Sequence, residues 1–563
     1  MRAGRRGART IIKPRAAWRR AVGAATLAAG LSCVACTPVA TQTAQTSAGN
    51  PWTIHGVLRM AQTRTPDNLV GMLGTQAINT DLSMFWAGYL FNWSDANQFV
   101  PELATQVPTL RNGGISRDGL AITYHLRRGV MWQDGAPFTA DDVIFSWHAV
   151  MNPKNIVVSR DPYDKIERIE KLGPYAIVVH LKQRLAPFVA TFFTMSSHTY
   201  AVLPVHLLGS LTDINRAAYD DLPVGTGPFR IASNEKGSLI RFVANPSYWR
   251  GPPKLKEIDF RIIPNDNTVL TLLKTHEIDF YLRASESQVP SLRGIPGTRL
   301  IVSPFTRFAD LGFNAGSPQL RDKRVRQALA YGTDRRGLID KVTHGVNMPA
   351  DSDQPPFFWA HAAGLPQYAY DPARAAALLD AAGWRMGHDG LRRKGGEALQ
   401  LVMVGFTGST TVSETEQVIQ QEWQQLGIGV TIKNYPSSLL YAPLGDGGIE
   451  QTGKFDVAFE EWANGVDPDE SLLFLCSMQP PQGWNIYHFC NRELDAAEAA
   501  AVGEYDPERR KAAYAKIQRI LADELPILVV WFVRRVDVVN TDLKNYRPAH
   551  AVTPFWNTWE WRI

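Results

Sequence analysis

Residues 119–147 read GLAITYHLRRGVMWQDGAPFTADDVIFSW, and this stretch sets the fold class. Ile122, Tyr124 and Leu126 alternate with Thr123 and His125, the period-2 pattern of a strand with one buried face. Gly135 permits a tight turn. Thr139 then stands where a helix N-cap belongs, with Asp141 and Asp142 in the first turn, where the helix dipole favours acids. Val143, Ile144, Trp147 and Val150 follow at helical spacing, so a strand hands over to an amphipathic helix.

The same grammar recurs downstream. Asp371-Pro372 and Asp506-Pro507 each predict a helix start with proline at the first helical position; Gly383 closes the first helix, and the second carries Tyr514, Ile517 and Leu521. Ser413 and Glu416 read as a capping box ahead of Val418, Ile419, Trp423 and Leu426. Gly427 ends that helix, and Ile428, Val430 and Ile432 alternate as a strand. Asp322 and Asp334 each precede a helix after LGFN (311–314). Strands and helices interleave, which predicts an α/β architecture. About 520 residues remain after the N-terminal leader, too many for one core, so two or more domains are expected.

The leader itself carries eight basic residues, Arg2 to Arg20, and no acid before Cys36. An apolar run from Ala21 to Cys36 follows, too short and too rich in Gly and Ala to span a bilayer, in the pattern of a secretory signal. Without the leader, 51 basic residues face 54 acidic ones, a net charge near −3 in place of +5. That balance excludes a basic nucleic-acid binder. Val34-Ala35-Cys36 reads as the end of a lipoprotein processing site, and the uncharged stretch 37–50 as a flexible tether. Cys33 and Cys36 form a C-x-x-C whose place inside the signal argues against metal or redox chemistry. Cys476 and Cys490 are the other two cysteines. Export to an oxidising compartment favours a bridge between them, with two buried thiols as the alternative.

Enzyme motifs are missing: no G-x-S-x-G, H-E-x-x-H, G-x-x-x-x-G-K-[ST] or G-x-G-x-x-G occurs. Gly225-Thr226-Gly227 before Pro228 reads as a turn. The twelve histidines are scattered and form no metal-ligand set, and no cofactor is expected.

Taken in order, residues 119–147, LPVGTGPFRI (222–231), NPSYWRGPPKLKEIDFRII (245–263), the block 311–340 and DPARAAALLDAAGW (371–384) resemble the extracellular solute-binding proteins of the peptide/nickel class, from about residue 50 to the end. The resemblance implies a large bilobed periplasmic-binding-protein fold that closes by a hinge. Lobe I would comprise 51–307 and 526–563, with a subdomain of about 90–217, and lobe II 308–525. It implies a monomeric receptor at the extracytoplasmic face, which captures a peptide or small molecule and passes it to an ABC permease complex in the inner membrane. The cysteine pair has a counterpart in dipeptide binders of the class, which favours a disulfide.

The ligand residues carried over by the resemblance depart from the dipeptide pattern. Where those binders hold the α-amino group with an aspartate just after the tryptophan of 459–476 (FEEWANGVDPDESLLFLC), this chain has Asn464 after Trp462. A neutral amide cannot replace the ion pair. Asp467 and Glu461 are the candidate substitutes, whereas base rates make the outer carboxylates of this segment a solvated loop, with Asp469 capping the next helix. At 405–409, GFTGS, the nearest counterpart of the arginine that dipeptide binders supply for the carboxylate is Phe406, with ordinary core as the alternative reading, and Thr407 beside it is a further candidate. Thr75 occupies the third cleft position. The expected ligand is therefore an oligopeptide-like solute read through its backbone. The alternatives are a non-peptide solute (opine, oligosaccharide or chelated metal), or an exported chaperone or sensor on the same fold.

Overall fold

The computed structural model describes residues 49–563 apart from 197–199 and 552. The signal (1–36), Cys36 and all of the tether but Gly49 and Asn50 lie outside the described residues.

One mixed sheet of eleven strands organises the chain. In chain order these are β1 (Val57–Gln62), β2 (Phe229–Glu235), β3 (Leu239–Ala244), β4 (Glu257–Ile262), β5 (Phe280–Tyr281), β6 (Thr298–Phe313), β7 (Met348–Pro349), β8 (Gln400–Phe406), β9 (Gly429–Tyr435), β10 (Val457–Ala463) and β11 (Ile527–Asn540). Their order across the sheet is β9-β8-β10-β6-β11-β5-β1-β4-β3-β2, with β7 also paired to β11.

Two long antiparallel strands, β6 and β11, form the spine. Thr298 pairs with Asn540 at one end and Gly312 with Ile527 at the other, and the register breaks between Pro304 and Phe308 and between Ala309 and Asp310. Proline lacks the N–H a regular ladder needs, so Pro304 marks a natural place for the break. On one side of it β11 pairs with β5, and through β5 with β1. On the other side β10 pairs with β6 from Arg307 to Phe313.

The deciding stretch folds as its pattern predicts. Ala121–His125 is a strand in a separate three-stranded sheet with Ile166–Gly173 and Ala176–Leu181. The helix Ala140–Met151 begins at Thr139, whose side chain and that of Asp142 form a reciprocal capping box. Helices at Lys323–Tyr331, Arg335–Val342, Pro372–Ala381 and Pro507–Glu524 begin after the aspartates expected to cap them.

One boundary differs. The helix expected at Ser413 starts a turn earlier, at Thr410, because Gly408 takes a positive φ and Ser409 accepts a hydrogen bond from the Val412 N–H. Ser413 is an interior position, and Glu416 is a buried side chain bonded to Asn434. The G-x-G at 225–227 is a close approach. Gly227 donates to the Trp86 carbonyl at 2.9 Å, and a Cβ on either glycine would run into that same peptide group.

Apolar side chains divide between the two faces of the β6–β10 region. Ala309, Leu311 and Phe313 pack with Val457, Phe459 and the helices at 323–342 and 410–425. Phe308 and Ala458 belong to the other, larger core. No helix of the described residues is long and apolar enough to cross a membrane.

Candidate functional site

The register break in β6 leaves Phe305, Thr306 and Arg307 free of the β11 ladder, and the site is built around them. Thr306 binds the start of the loop after β10. Its carbonyl accepts from the Asn464 N–H at 2.7 Å, and its hydroxyl donates to the Asn464 carbonyl at 2.8 Å. Three guanidinium groups, Arg283, Arg307 and Arg535, lie 5.0–5.4 Å from the Phe305 ring centre. Arg283 pairs with buried Asp81 at 2.8 Å, and Arg307 with Glu461 at 3.0 Å. Arg535 donates to the Ala549 and Ala551 carbonyls, while its Nε and Nη1 are buried without a partner. Nearby, burial and the charge of Glu461 push the Glu286 carboxyl up to about 7.

The sequence-derived candidates fall in different surroundings. Trp462 and Phe406, both half-buried, pack against the same large core, Trp462 directly opposite Phe308. Thr407 is exposed beside Phe406, its N–H donating to the Tyr435 carbonyl. Asn464 is 4 % exposed; its Nδ2 donates to the Asp353 carbonyl and its Oδ1 accepts nothing. Asp467 is occupied: Arg510 holds it at 2.6 and 2.7 Å, with both side chains only 9 % exposed. Thr75 is exposed, and its N–H and hydroxyl both donate to Asp67 at 2.8 Å. Trp462 and Asn464 lie at and just beyond the end of β10, Phe406 ends the neighbouring strand β8, and the described bonds of Thr75 go to its own loop.

Cys476 and Cys490 form a disulfide, with their Cα atoms 4.5 Å apart. The acids of 459–476 do not make a solvated loop. Asp469 accepts from the N–H and hydroxyl of Ser471, the first residue of the short helix Ser471–Phe474, although the N-cap position itself is Glu470. Glu470 is 5 % exposed and takes a hydrogen bond from Gln354. The correction has a simple cause. Helix 507–524, carrying Arg510, and Asn485–Phe489 pack over this segment, so its carboxylates face protein.

Sequence reading missed a second group. Asp310 on β6 pairs directly with Glu460 on β10, and Glu450 joins them from the preceding loop. Burial and mutual repulsion raise the Asp310 and Glu450 carboxyls well above the usual range. A signal existed: Asp310 is a lone charge inside the apolar run FADLGF.

Among the described residues no group of three His, Cys, Asp or Glu side chains is placed to hold a metal ion.

Comparison with known proteins fits this architecture. The chain is 23 % identical over 524 residues to the oligopeptide-binding protein AppA of Bacillus subtilis (strain 168), covering 92 % of this chain and 93 % of that protein. The solved structure of AppA from Bacillus subtilis with a nonapeptide superposes with a TM-score of 0.74 at 22 % identity, covering 90 % of this chain and 98 % of the other. NikZ from Campylobacter jejuni in complex with Ni(L-His) gives 0.76 at 24 % identity, covering 91 % and 100 %. These neighbours share the bilobed fold with a mixed α/β sheet. The profile of the bacterial extracellular solute-binding proteins, family 5 Middle, matches residues 98–482. Matched over more than half its length, the chain belongs to the bacterial extracellular solute-binding proteins of family 5.

Proposed function

We propose that this chain is the substrate-binding receptor of an ABC importer, and that it captures oligopeptide-like solutes between two lobes. The observation that carries this reading is the match to an oligopeptide-binding protein over nearly the whole length of both chains. In this reading lobe I comprises 51–307 and 526–563, with a subdomain of about 90–217, and lobe II comprises 308–525. The irregular Pro304–Phe308 segment and the facing part of β11 serve as the hinge. Bonds that would cross the cleft support a closed arrangement. Ala186 N–H donates to the Val502 carbonyl at 2.7 Å, Tyr505 hydroxyl to the Gly119 carbonyl at 3.0 Å, and Val466 N–H to Ser196 Oγ at 3.4 Å. A ligand favours the closed state only through its differential affinity for it.

The ligand residues in this reading are Phe406, Thr407, Trp462 and Asn464, with Thr75 at the lobe I rim. Asp467 positions the loop through Arg510 instead of meeting the solute. With a neutral Asn464, a free peptide N-terminus contributes little to affinity. The receptor performs no chemistry on its ligand, acts as a monomer outside the cytoplasmic membrane, and is anchored there through lipid on Cys36. The similarity to NikZ keeps a chelated-metal solute as the second reading.

The test is thermal unfolding of the mature chain, refolded to remove bound solute, against pools of short peptides with free or acetylated N-termini. Ligand at a thousand times its dissociation constant stabilises by about 4 kcal/mol. Equal shifts with both pools are expected. A shift with free peptides alone would restore amine recognition, and no shift with either would move the assignment to non-peptide solutes.

A further inference from the structure

We propose that Asp310, Glu450 and Glu460 form a subsite for the cationic side chain of the bound solute, the ammonium of a lysine or the guanidinium of an arginine. The inference rests on the reading of this chain as a receptor for peptide-like solutes and names a chemical preference within it.

Sheet register brings the groups together. β6 and β10 run antiparallel, pairing Phe308 with Trp462, Asp310 with Glu460 and Gly312 with Ala458. Paired residues leave a sheet on the same face, so Asp310 and Glu460 stand side by side with the two aromatics one pleat further on. Glu450 completes the trio. Asp310 is 1 % exposed and Glu450 is fully buried, while Glu460 is half-buried, so the trio is reached from the Glu460 side.

A second observation is independent of charge. Both oxygens of Asp310 are buried and accept no hydrogen bond, while Glu450 and Glu460 hydrogen-bond to each other through their carboxyls, with no other donor reaching either Glu450 oxygen or Glu460 Oε1. Three other buried acids are each paired with an arginine, Asp279 with Arg59, Asp81 with Arg283 and Asp467 with Arg510, whereas Glu416 and Glu470 each leave only one oxygen without a donor. For the trio, the groups acting on each carboxyl are the others of the trio: Glu460 by its charge on Asp310, Glu460 and Asp310 by theirs on Glu450, and Glu450 by its hydrogen bond on Glu460. Buried carboxyl oxygens whose only donor is a proton shared within the trio are unfavourable unless further donors reach them. An ammonium brings three donors and a guanidinium five.

The surroundings suit a long cationic side chain. The hydroxyls of Tyr441 and Tyr487 lie near enough for all three carboxyls to disfavour their ionisation. Tyr441, Trp462 and Phe406 are half-buried and pack on the same core, offering apolar surface to an aliphatic stem and ring faces to its charge.

The experiment is calorimetric titration of the ligand-free mature chain with N-acetylated tetrapeptides that differ only in one residue, lysine or norleucine. The lysine peptide is expected to bind about tenfold tighter or more, the value of a charge-assisted hydrogen bond gained in a buried site. Its binding near neutral pH should also release protons, read as a dependence of the heat on the ionisation enthalpy of the buffer. Glu450→Gln and Glu460→Gln should shrink the preference to about threefold or less. Equal affinities for the two peptides in the unmodified protein would overturn the subsite and leave the receptor reading standing, whether or not the variants fold. In a parallel titration with the same two peptides bearing free N-termini, a preference for the free over the acetylated form, with lysine and norleucine alike, would overturn the side-chain assignment in favour of an α-amino site. Failure of every peptide to bind would overturn both readings.

Discussion

Replacing Asp467 with alanine separates a fixed structural carboxylate from a ligand-binding one. Asp467 gives both oxygens to Arg510 at 2.6 and 2.7 Å, each side chain only 9 % exposed. Arg510 also lies over Trp359 and Tyr514, 5.5 and 5.3 Å from the ring centres, and donates to the Ala501 carbonyl. It cannot swing into solvent without dismantling that packing. Removing the carboxylate leaves a buried guanidinium unpaired, which costs about 3–5 kcal/mol. A folded chain of about five hundred residues carries an unfolding entropy of roughly 1 kcal/mol per kelvin, so the expected fall in Tm is about 3–5 °C. The assay is thermal unfolding by circular dichroism at fixed pH and salt, with calorimetric titration of the same variant after ligand removal. Removing Arg510 as well should recover part of the loss, because the uncompensated charge goes with it. A fall below about 1 °C together with clearly weakened ligand binding would refute the reasoning, since it would mean the carboxylate serves the solute.

Further outcomes follow from other parts of the structure. Glu416 is fully buried, and burial raises its carboxyl from the usual 4.5 to about 7, so folding takes up a proton between those values and stability falls as pH rises from 4.5 to 7. Glu416→Gln should therefore gain about 3 kcal/mol at pH 8 and nothing near pH 4, checked by urea denaturation at both pH values. Gly225→Ala should destabilise by about 2–3 kcal/mol through the clash of its Cβ with the Trp86 carbonyl, read as a lower Tm; an unchanged Tm would show that this turn is loose. Replacing Cys476 and Cys490 by serine together should cost about 3 kcal/mol in the chain-entropy model for the loop they close, measured by denaturant titration against the oxidised protein.

What the sequence disclosed, and what it withheld, divides by the range of the interactions concerned. Helix starts at Thr139, Asp322, Asp334, Asp371 and Asp506 were legible because a cap is a contact between residues two or three apart. The start at Ser409 was misplaced by the same rule. The Ser413 and Glu416 pattern imitates a capping box, and only the buried bond from Asn434 shows that Glu416 serves the interior. Family blocks carried the two-lobe architecture, since their order is itself a sequence property. The acids of 459–476 looked solvated because nothing local indicates that Arg510, some forty residues on, is folded over them. Asp310 lies well over a hundred residues from Glu450 and Glu460, and register alone brings β6 beside β10. A lone acid in an apolar strand pattern gave a hint of burial, but its partners were beyond reach of any window.

Native mass spectrometry of the mature protein, purified from the exported fraction without refolding, tests the central claim most directly. The account predicts non-covalent complexes whose added masses resolve into a family of short peptides, enriched in lysine and arginine, on a monomeric chain. A single non-peptide species retained across preparations, whether a metal chelate, a sugar or an opine, would contradict it.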